Sequence, residues 1–349
     1  MSNKTYYGAC VYSNVTLYGL KDDVGARYLW TCWRVFVLLS SLFGDTTILV
    51  ASIKYRAIKI HQGLVPFMQH LAVCDLILST TYVLPGIVSL VADEWVLGDG
   101  MCLATAYLSY FAFSLNCFLI SGMTSGKLMM IVSPMKAREW TKMTSHRICL
   151  AIWMFCLCLP LTQYLIDGDD GCFDSRKYNC TYGYSPDIWA WFKPILFFFM
   201  ALAPGITVFV TSVLLLLKAS QVARESLKWQ GVLTVLITSG VYSVSILPFV
   251  ANGIAEPFLE KDPLKVGKFQ FRYYRVACAF LSFQIMANFY IYNMTVPSLR
   301  QFVLNKIFGR SNSHLNLKLT DPQNETRTSI SAEPRRSTVN GINGNKPSV

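Results

Sequence analysis

Residues 64–92 read LVPFMQHLAVCDLILSTTYVLPGIVSLVA, a run with one carboxylate, Asp75, and no lysine or arginine. A helix needs about 20 mainly apolar residues to cross the hydrocarbon core of a bilayer. This stretch exceeds that length while carrying an acid along it. Working outward, comparable apolar runs occupy 28–53, 100–133, 147–166, 188–218, 229–255 and 271–295. Together they make seven, and the excess length of several implies tilt or extension past the hydrocarbon.

The whole-chain arithmetic agrees. The chain has 349 residues, 53% of them hydrophobic and 15% charged, and its mean hydropathy is +0.39. Soluble domains carry about 25% charged residues, so too few are present to cover a water-facing surface. Disorder, collagen and coiled coil are excluded for most of the length. The expected class is therefore all-α, an integral membrane bundle of seven helices. No internal repeat stands out, which weighs against a transporter built from inverted repeats.

Charge sets the expected orientation. The net charge is +11, which in a soluble protein would suggest nucleic acid. Here the basic residues gather in alternate loops: Lys54, Arg56 and Lys59, then Lys136, Arg138, Lys142 and Arg147, then Lys218, Arg224 and Lys228. Acids mark the other loops, with Asp93, Glu94 and Asp99, and later Asp167, Asp169, Asp170 and Asp174. Basic loops stay in the cytosol, so the N-terminus is expected outside and the C-terminus inside, with no nucleic-acid partner. The loop from 256 to 275 dissents, because its five basic residues outnumber its acids.

The expected organisation is an extracellular N-terminus over 1–27, a membrane domain over 28–295, an amphipathic surface helix over 296–309 and a disordered cytoplasmic tail over 310–349. The N-terminus carries sequons at Asn3 and Asn14 and lacks the apolar core of a cleaved signal peptide. Leu299, Phe302, Val303 and Ile307 share one face of the short helix, which suits it to the lipid surface. The tail is rich in Ser, Thr, Asn and Pro, and Arg335-Arg336-Ser337-Thr338 reads equally as a basophilic kinase site or as incidental hydroxyls. Of eleven cysteines, Cys32, Cys74, Cys117, Cys149, Cys156 and Cys158 lie in apolar runs, where cysteine acts as a small hydrophobe. Cys10, Cys102, Cys172 and Cys180 read as extracellular. With no CxxC pair, zinc and thioredoxin-like chemistry have no support.

Several motifs then recur in order. Leu71-Ala72-Val73-Cys74-Asp75 lies in the second span, Glu94-Trp95-Val96-Leu97-Gly98 precedes Cys102, and Trp153 lies in the fourth span. Pro204 and Pro248 follow in the fifth and sixth, and Asn288-Phe289-Tyr290-Ile291-Tyr292 closes the seventh. The series resembles the rhodopsin-like (class A) G-protein-coupled receptors over about 28–308. Departures are equally visible. The first-helix Gly-Asn is Gly44-Asp45, and Asp-Arg-Tyr is Gly126-Lys127-Leu128. The sixth-helix Cys-Trp-x-Pro is Ser245-Ile246-Leu247-Pro248, the Pro of Asn-Pro-x-x-Tyr is Phe289, and the fifth-helix tyrosine is Ser212.

The resemblance implies roles. Asp75 becomes a sodium ligand near Asn116 and Asn288, the alternative being a protonated acid in a polar network; no other cofactor is expected. Asp45 adds a second carboxylate, and two acids in one dry site cannot both ionise without a cation, so the pair is expected to share a proton or a sodium ion. Cys102 is expected to bridge a cysteine of the second extracellular loop, Cys180 ahead of Cys172, and whether Cys172 pairs instead with Cys10 is left open. Asn179-Cys180-Thr181 is formally a third sequon. Lys127 takes the position that meets the G protein, keeping the charge but not the planar fork of arginine. Lys228 stands opposite it in place of an acid, so two ammonium groups favour parting of the helix ends, unless both snorkel to lipid headgroups. Elevated basal activity follows from the first reading. Tyr292 completes this switch.

The resemblance places the ligand pocket at Ser109, Tyr110, Phe113, Phe249, Tyr274 and Cys278, with Ile246 at its floor in place of a tryptophan. Ser109 stands where amine receptors carry an acid and Ser282 where opsins carry a lysine, so neither an amine nor retinal is expected. An acidic peptide meeting Lys265, Lys268, Arg272 and Arg275 is weighed beside a small molecule. The leading function is a plasma-membrane receptor passing an extracellular signal to a heterotrimeric G protein, with arrestin and a receptor kinase as further partners. A receptor-shaped scavenger or scaffold is the alternative, an ion-coupled transporter the third. No nucleophile–base pair, metal-ligand spacing or phosphate loop points to an enzyme.

Overall fold

The computed structural model describes residues 24–54, 62–133, 140–167, 171–174, 178–182, 198–219, 227–259 and 268–307, with Met135 and Ile195. Seven long helices fall on the seven apolar runs. They are α1 (Val24–Lys54), α2 (Val65–Ala92), α3 (Asp99–Val132), α4 (Lys142–Asp167), α5 (Ala203–Ala219), α6 (Leu227–Leu259) and α7 (Lys268–Thr295). A short α8, Pro297–Phe302, passes into a π turn at Val303–Ile307. Five stretches, within α1, α2, α3, α4 and α6, are long and apolar enough to span a membrane by themselves. The described part of α5 is apolar but shorter, and α7 is diluted by Gln284, Asn288 and Asn293.

The chain divides into two units, Met1–Val303 and Leu304–Val349, and the bundle is the first of these. Helix α3 is its axis, packing against α2, α4, α5 and α6, while α1 packs on α2 and α7, and α7 on α6. A ring of helices around a central one buries an apolar core in which Val37, Met68, Leu115, Ile120 and Leu215 are fully enclosed. Outward faces stay apolar, with Leu39, Phe209, Leu217 and Leu247 all exposed, as a lipid-facing surface requires. Leu299 and Val303 are buried while Ile307 is exposed.

Two helix ends explain departures from the hydropathy reading. Helix α4 begins at Lys142, before its apolar run, because the Thr141 hydroxyl accepts the Thr144 N–H at 3.2 Å and caps the helix. Helix α2 bulges into a π turn at Ser79–Val83 just ahead of Pro85. Proline removes a donor and crowds the carbonyl four residues back, here that of Thr81. Ser109 of α3 donates to that Thr81 carbonyl at 3.3 Å, and Asn179 donates to the next one, Tyr82, at 2.7 Å. Ser109→Ala should therefore cost about 1 kcal/mol, an ordinary net hydrogen bond. A lowered melting temperature of the purified protein checks it; an unchanged one would show the carbonyl satisfied elsewhere.

One end of the bundle is closed by a hairpin, β1 (Gly171–Asp174) against β2 (Asn179–Tyr182), paired antiparallel with Phe173 opposite Cys180. A disulfide between Cys102 and Cys180 fastens β2 to the start of α3. Cys172 is also disulfide-bonded; the suggested partner, Cys10, lies outside the described residues, as do Asn3 and Asn14. The Asn179 side chain is almost fully buried, so the third sequon is closed in the folded protein. At the same end Arg27 pairs with Asp93 at 3.3 Å, and the Tyr178 hydroxyl donates to Asp93 at 3.1 Å. Burial and then the Asp93 carboxylate push the Tyr178 phenol up to about 12.

Candidate functional site: a capped cavity on a buried acid network

Asp75 is fully buried and Asp45 nearly so. Both oxygens of Asp75 accept amides: Asn116 Nδ2 reaches Oδ1 at 2.7 Å and Asn288 Nδ2 reaches Oδ2 at 2.6 Å. Three helices, α2, α3 and α7, thus meet on one carboxyl. On α1 the Ser41 hydroxyl bonds Asp45 Oδ2 at 2.5 Å, and Ser79 bonds Ser41 at 2.7 Å, while Asp45 Oδ1 is buried with no hydrogen-bond partner. The two acids are electrostatic neighbours. A carboxyl that receives two N–H donors is furnished to carry negative charge. One bonded to a hydroxyl, with its second oxygen bare, is furnished to hold a proton or meet a cation.

A sodium ion at this point would need oxygen ligands. The orphaned Asp45 Oδ1 and the Ser41 and Ser79 hydroxyls supply oxygen donors beside Asp75, the ligand type a hard cation takes, so the residues fit such an ion.

Between this network and the hairpin lies a cavity. Ser109, Tyr110, Phe113, Phe249, Tyr274 and Cys278 all line it, and Cys180 of β2 adds to its wall. The Tyr110 hydroxyl and Thr181 Oγ1 lie 3.0 Å apart, holding β2 over the opening. Phe113 and Phe249 meet edge-to-face with centroids 5.3 Å apart, a favourable aromatic geometry. Ile246 does not line the cavity. It is buried in the apolar core, and the larger rings about one turn to either side, Tyr242 and Phe249, line the cavity instead.

Sequence reasoning missed the link between cavity and acids. Asn116 and Gln284 both line the cavity, and Gln284 Nε2 donates to Asn116 Oδ1 at 3.0 Å. That bond fixes which end of the Asn116 amide faces Asp75. Gln284 sits one helical turn before Asn288, a spacing that places both on one face of α7. This was the available signal.

Comparison with known proteins decides the family. The family model described as 7 transmembrane receptor (rhodopsin family) matches residues 46–295. The chain belongs to that receptor family. Relatives include bovine (Bos taurus) proteinase-activated receptor 1, 24% identical over 74% of this chain and 64% of the relative. Cysteinyl leukotriene receptor 1 of Cavia porcellus is 23% identical over 68% of this chain and 71% of the relative. The chain therefore spans a little under two thirds of the bovine relative's length. These relatives are receptors by name, and the chain is accordingly a multi-pass membrane protein of the rhodopsin family.

Within this rhodopsin-family frame the departures acquire partners. Phe289 packs edge-to-face on Phe43 with centroids 5.6 Å apart, and a side chain at Gly44 would collide with its ring. The small residue on α1 thus accommodates the ring that replaces proline on α7. Ser212 donates to Ser239 at 2.8 Å, joining α5 to α6 directly, and Thr234 donates to Thr295 at 3.0 Å, joining the foot of α6 to α7. Tyr292 is buried facing Thr238.

The altered third-helix motif has a packing explanation. Lys127 is buried on α3, and the side chain of Lys228 lies outside the described residues. At Gly126 a Cβ would lie 3.0 Å from Trp140 Cη2, and at Gly63 one would lie 2.8 Å from Trp140 Cδ1. Two glycines thus cradle opposite edges of one indole. Trp140 Nε1 donates to the Ser145 hydroxyl, which donates to the Gly63 carbonyl at 2.7 Å. Where the family carries an acid, this chain seats a tryptophan.

Proposed function

We propose that this receptor binds an extracellular ligand in the hairpin-capped cavity and transmits its presence to a heterotrimeric G protein at the opposite end. One observation carries the reading: Asn116 and Gln284 belong at once to the cavity wall and to the Asp75 network. A ligand that moves either amide changes the hydrogen bonds holding α2, α3 and α7 together. Such a contact gives the ligand different affinities for two arrangements of the bundle, which population shift requires. Opening at the far end then means releasing Ser212–Ser239 and Thr234–Thr295, so that α6 swings outward and exposes the region of Lys127. The basic loops support a cytosolic placement of that end, and the hairpin and N-terminus belong outside at the plasma membrane. A sodium ion or a shared proton at Asp45 and Asp75 neutralises the second acid in the resting state. Arrestin and a receptor kinase would use the hydroxyl-bearing tail.

The test is ligand-free G-protein activation, across subtypes, as surface density of the receptor is raised. A signal that grows with density and disappears in Lys127→Ala is expected. A flat response at verified surface expression would count against basal coupling and favour the non-coupling scaffold, which the Gly126-Lys127-Leu128 sequence also suits.

A further inference from the structure

The acid network imposes a polarity on the floor of the cavity. Asn116 gives its NH₂ to Asp75 Oδ1, so its oxygen faces away and accepts from Gln284 Nε2. A primary amide carries two N–H donors and one acceptor oxygen. The relay from Asp75 thus uses one donor of Gln284 and leaves its oxygen and its second N–H. Among the described residues neither has a hydrogen-bond partner. The side chain is only 4% exposed, it lines the cavity, and its oxygen is not sealed within protein. The free edge of the amide therefore opens on the cavity. A polar group so deeply buried is costly until something in the cavity meets it. Leu78, Phe113, Leu281 and Ile285 make the surrounding wall apolar. Polar groups few in number and set in an apolar cleft are what fix the orientation of a small ligand.

We propose that the ligand is an apolar molecule led by an uncharged group that both donates and accepts, a hydroxyl or a carboxamide, which docks on the free edge of Gln284. Such a group bonds the oxygen and the N–H together. A carboxylate only accepts, so it would set oxygen against the Gln284 oxygen and stand two amides from Asp75. An ammonium only donates, through three N–H groups. The edge offers these a single oxygen among apolar side chains, where unpaired donors are unfavourable. That the cavity is a ligand site is taken from the receptor reading above, whereas the experiment reads binding alone.

The probes are straight-chain C8–C14 alcohols, primary carboxamides, carboxylates, ammonium ions and alkanes. Each is titrated into the purified receptor in phosphatidylcholine nanodiscs, and apparent affinity is read from the thermal shift at equal membrane-phase concentration. In the wild type the alcohols or the carboxamides should bind about tenfold or more tightly than the other three series, as one or two net hydrogen bonds imply. The two neutral series distinguish a hydroxyl from an amide. Gln284→Met, which keeps the volume and removes the edge, should abolish that preference and leave alkane binding unchanged. Gln284→Asn, which keeps the amide but withdraws it by one methylene, should weaken the preference, and covers the case that the methionine variant does not fold. Equal binding of all five series, no binding, or tightest binding of the carboxylates or ammonium ions overturns the proposal. So does a preference that survives either variant at full strength. A preference that follows Gln284 without any change in G-protein activation would instead count against the receptor reading.

Discussion

Asp75→Asn is expected to lower the melting temperature of the purified receptor by roughly 5–10 °C, corresponding to about 2–3 kcal/mol for a bundle of this size. The two oxygens of Asp75 each receive an amide N–H, from Asn116 and Asn288. An asparagine offers one oxygen and one NH₂, so with both amides as they stand one donor faces another. Asn116 cannot turn its amide over to relieve the clash, because its own oxygen already accepts from Gln284. The buried donor left facing NH₂ pays the full desolvation cost. Asp45→Asn should behave differently. Its Oδ2 still accepts from Ser41 and its Oδ1 has no partner to lose, so stability should change little. What it should remove is the dependence of the melting temperature on sodium and on pH. If Asp45→Asn retains both dependences, the two acids do not share an ion or a proton.

Gly126→Asp, which restores the family's acid, is expected to destabilise the receptor by about 1–3 kcal/mol, the range for overpacking. The new Cβ would press on Trp140 at 3.0 Å, and the indole has nowhere to retreat because Gly63 and Ser145 hold its other edge. Trp140→Ala opens the space, so the double variant should be more stable than the sum of the single effects. A thermodynamic cycle over the four proteins measures that coupling. Simple additivity would show that the tryptophan and the glycine are independent, and the cradle would lose its meaning.

Much of this architecture was legible from hydropathy alone, because in lipid a backbone must satisfy itself within helices. Each of the seven runs holds a helix among the described residues, and the resemblance led to the Cys102–Cys180 bridge. The helix ends were less legible. Thr141 extends α4 by a local cap, and Pro85 turns α2 into a π bulge, neither of which changes mean hydropathy. Within the site, the cavity residues and the acids were reachable from the motif positions, whereas Gln284 and Ile246 were not. Which of several side chains on one helix face reaches a cavity depends on their sizes and on the neighbouring helix. Trp140 was hidden for another reason: its cradle joins Gly63 and Gly126, far apart in the chain.

Ser109 couples the cavity wall to the neighbouring helix. Its hydroxyl is committed to the Thr81 carbonyl that Pro85 sets loose. An aspartate there, the single change that would give the cavity an amine-binding acid, would turn a carboxylate toward a carbonyl and repel it. The side chain tolerated at 109 is therefore tied to the backbone of α2. An acid at 109 is best accommodated once position 85 supplies an N–H to that carbonyl, so the chemistry of the cavity wall and the bulge of α2 form one coupled pair.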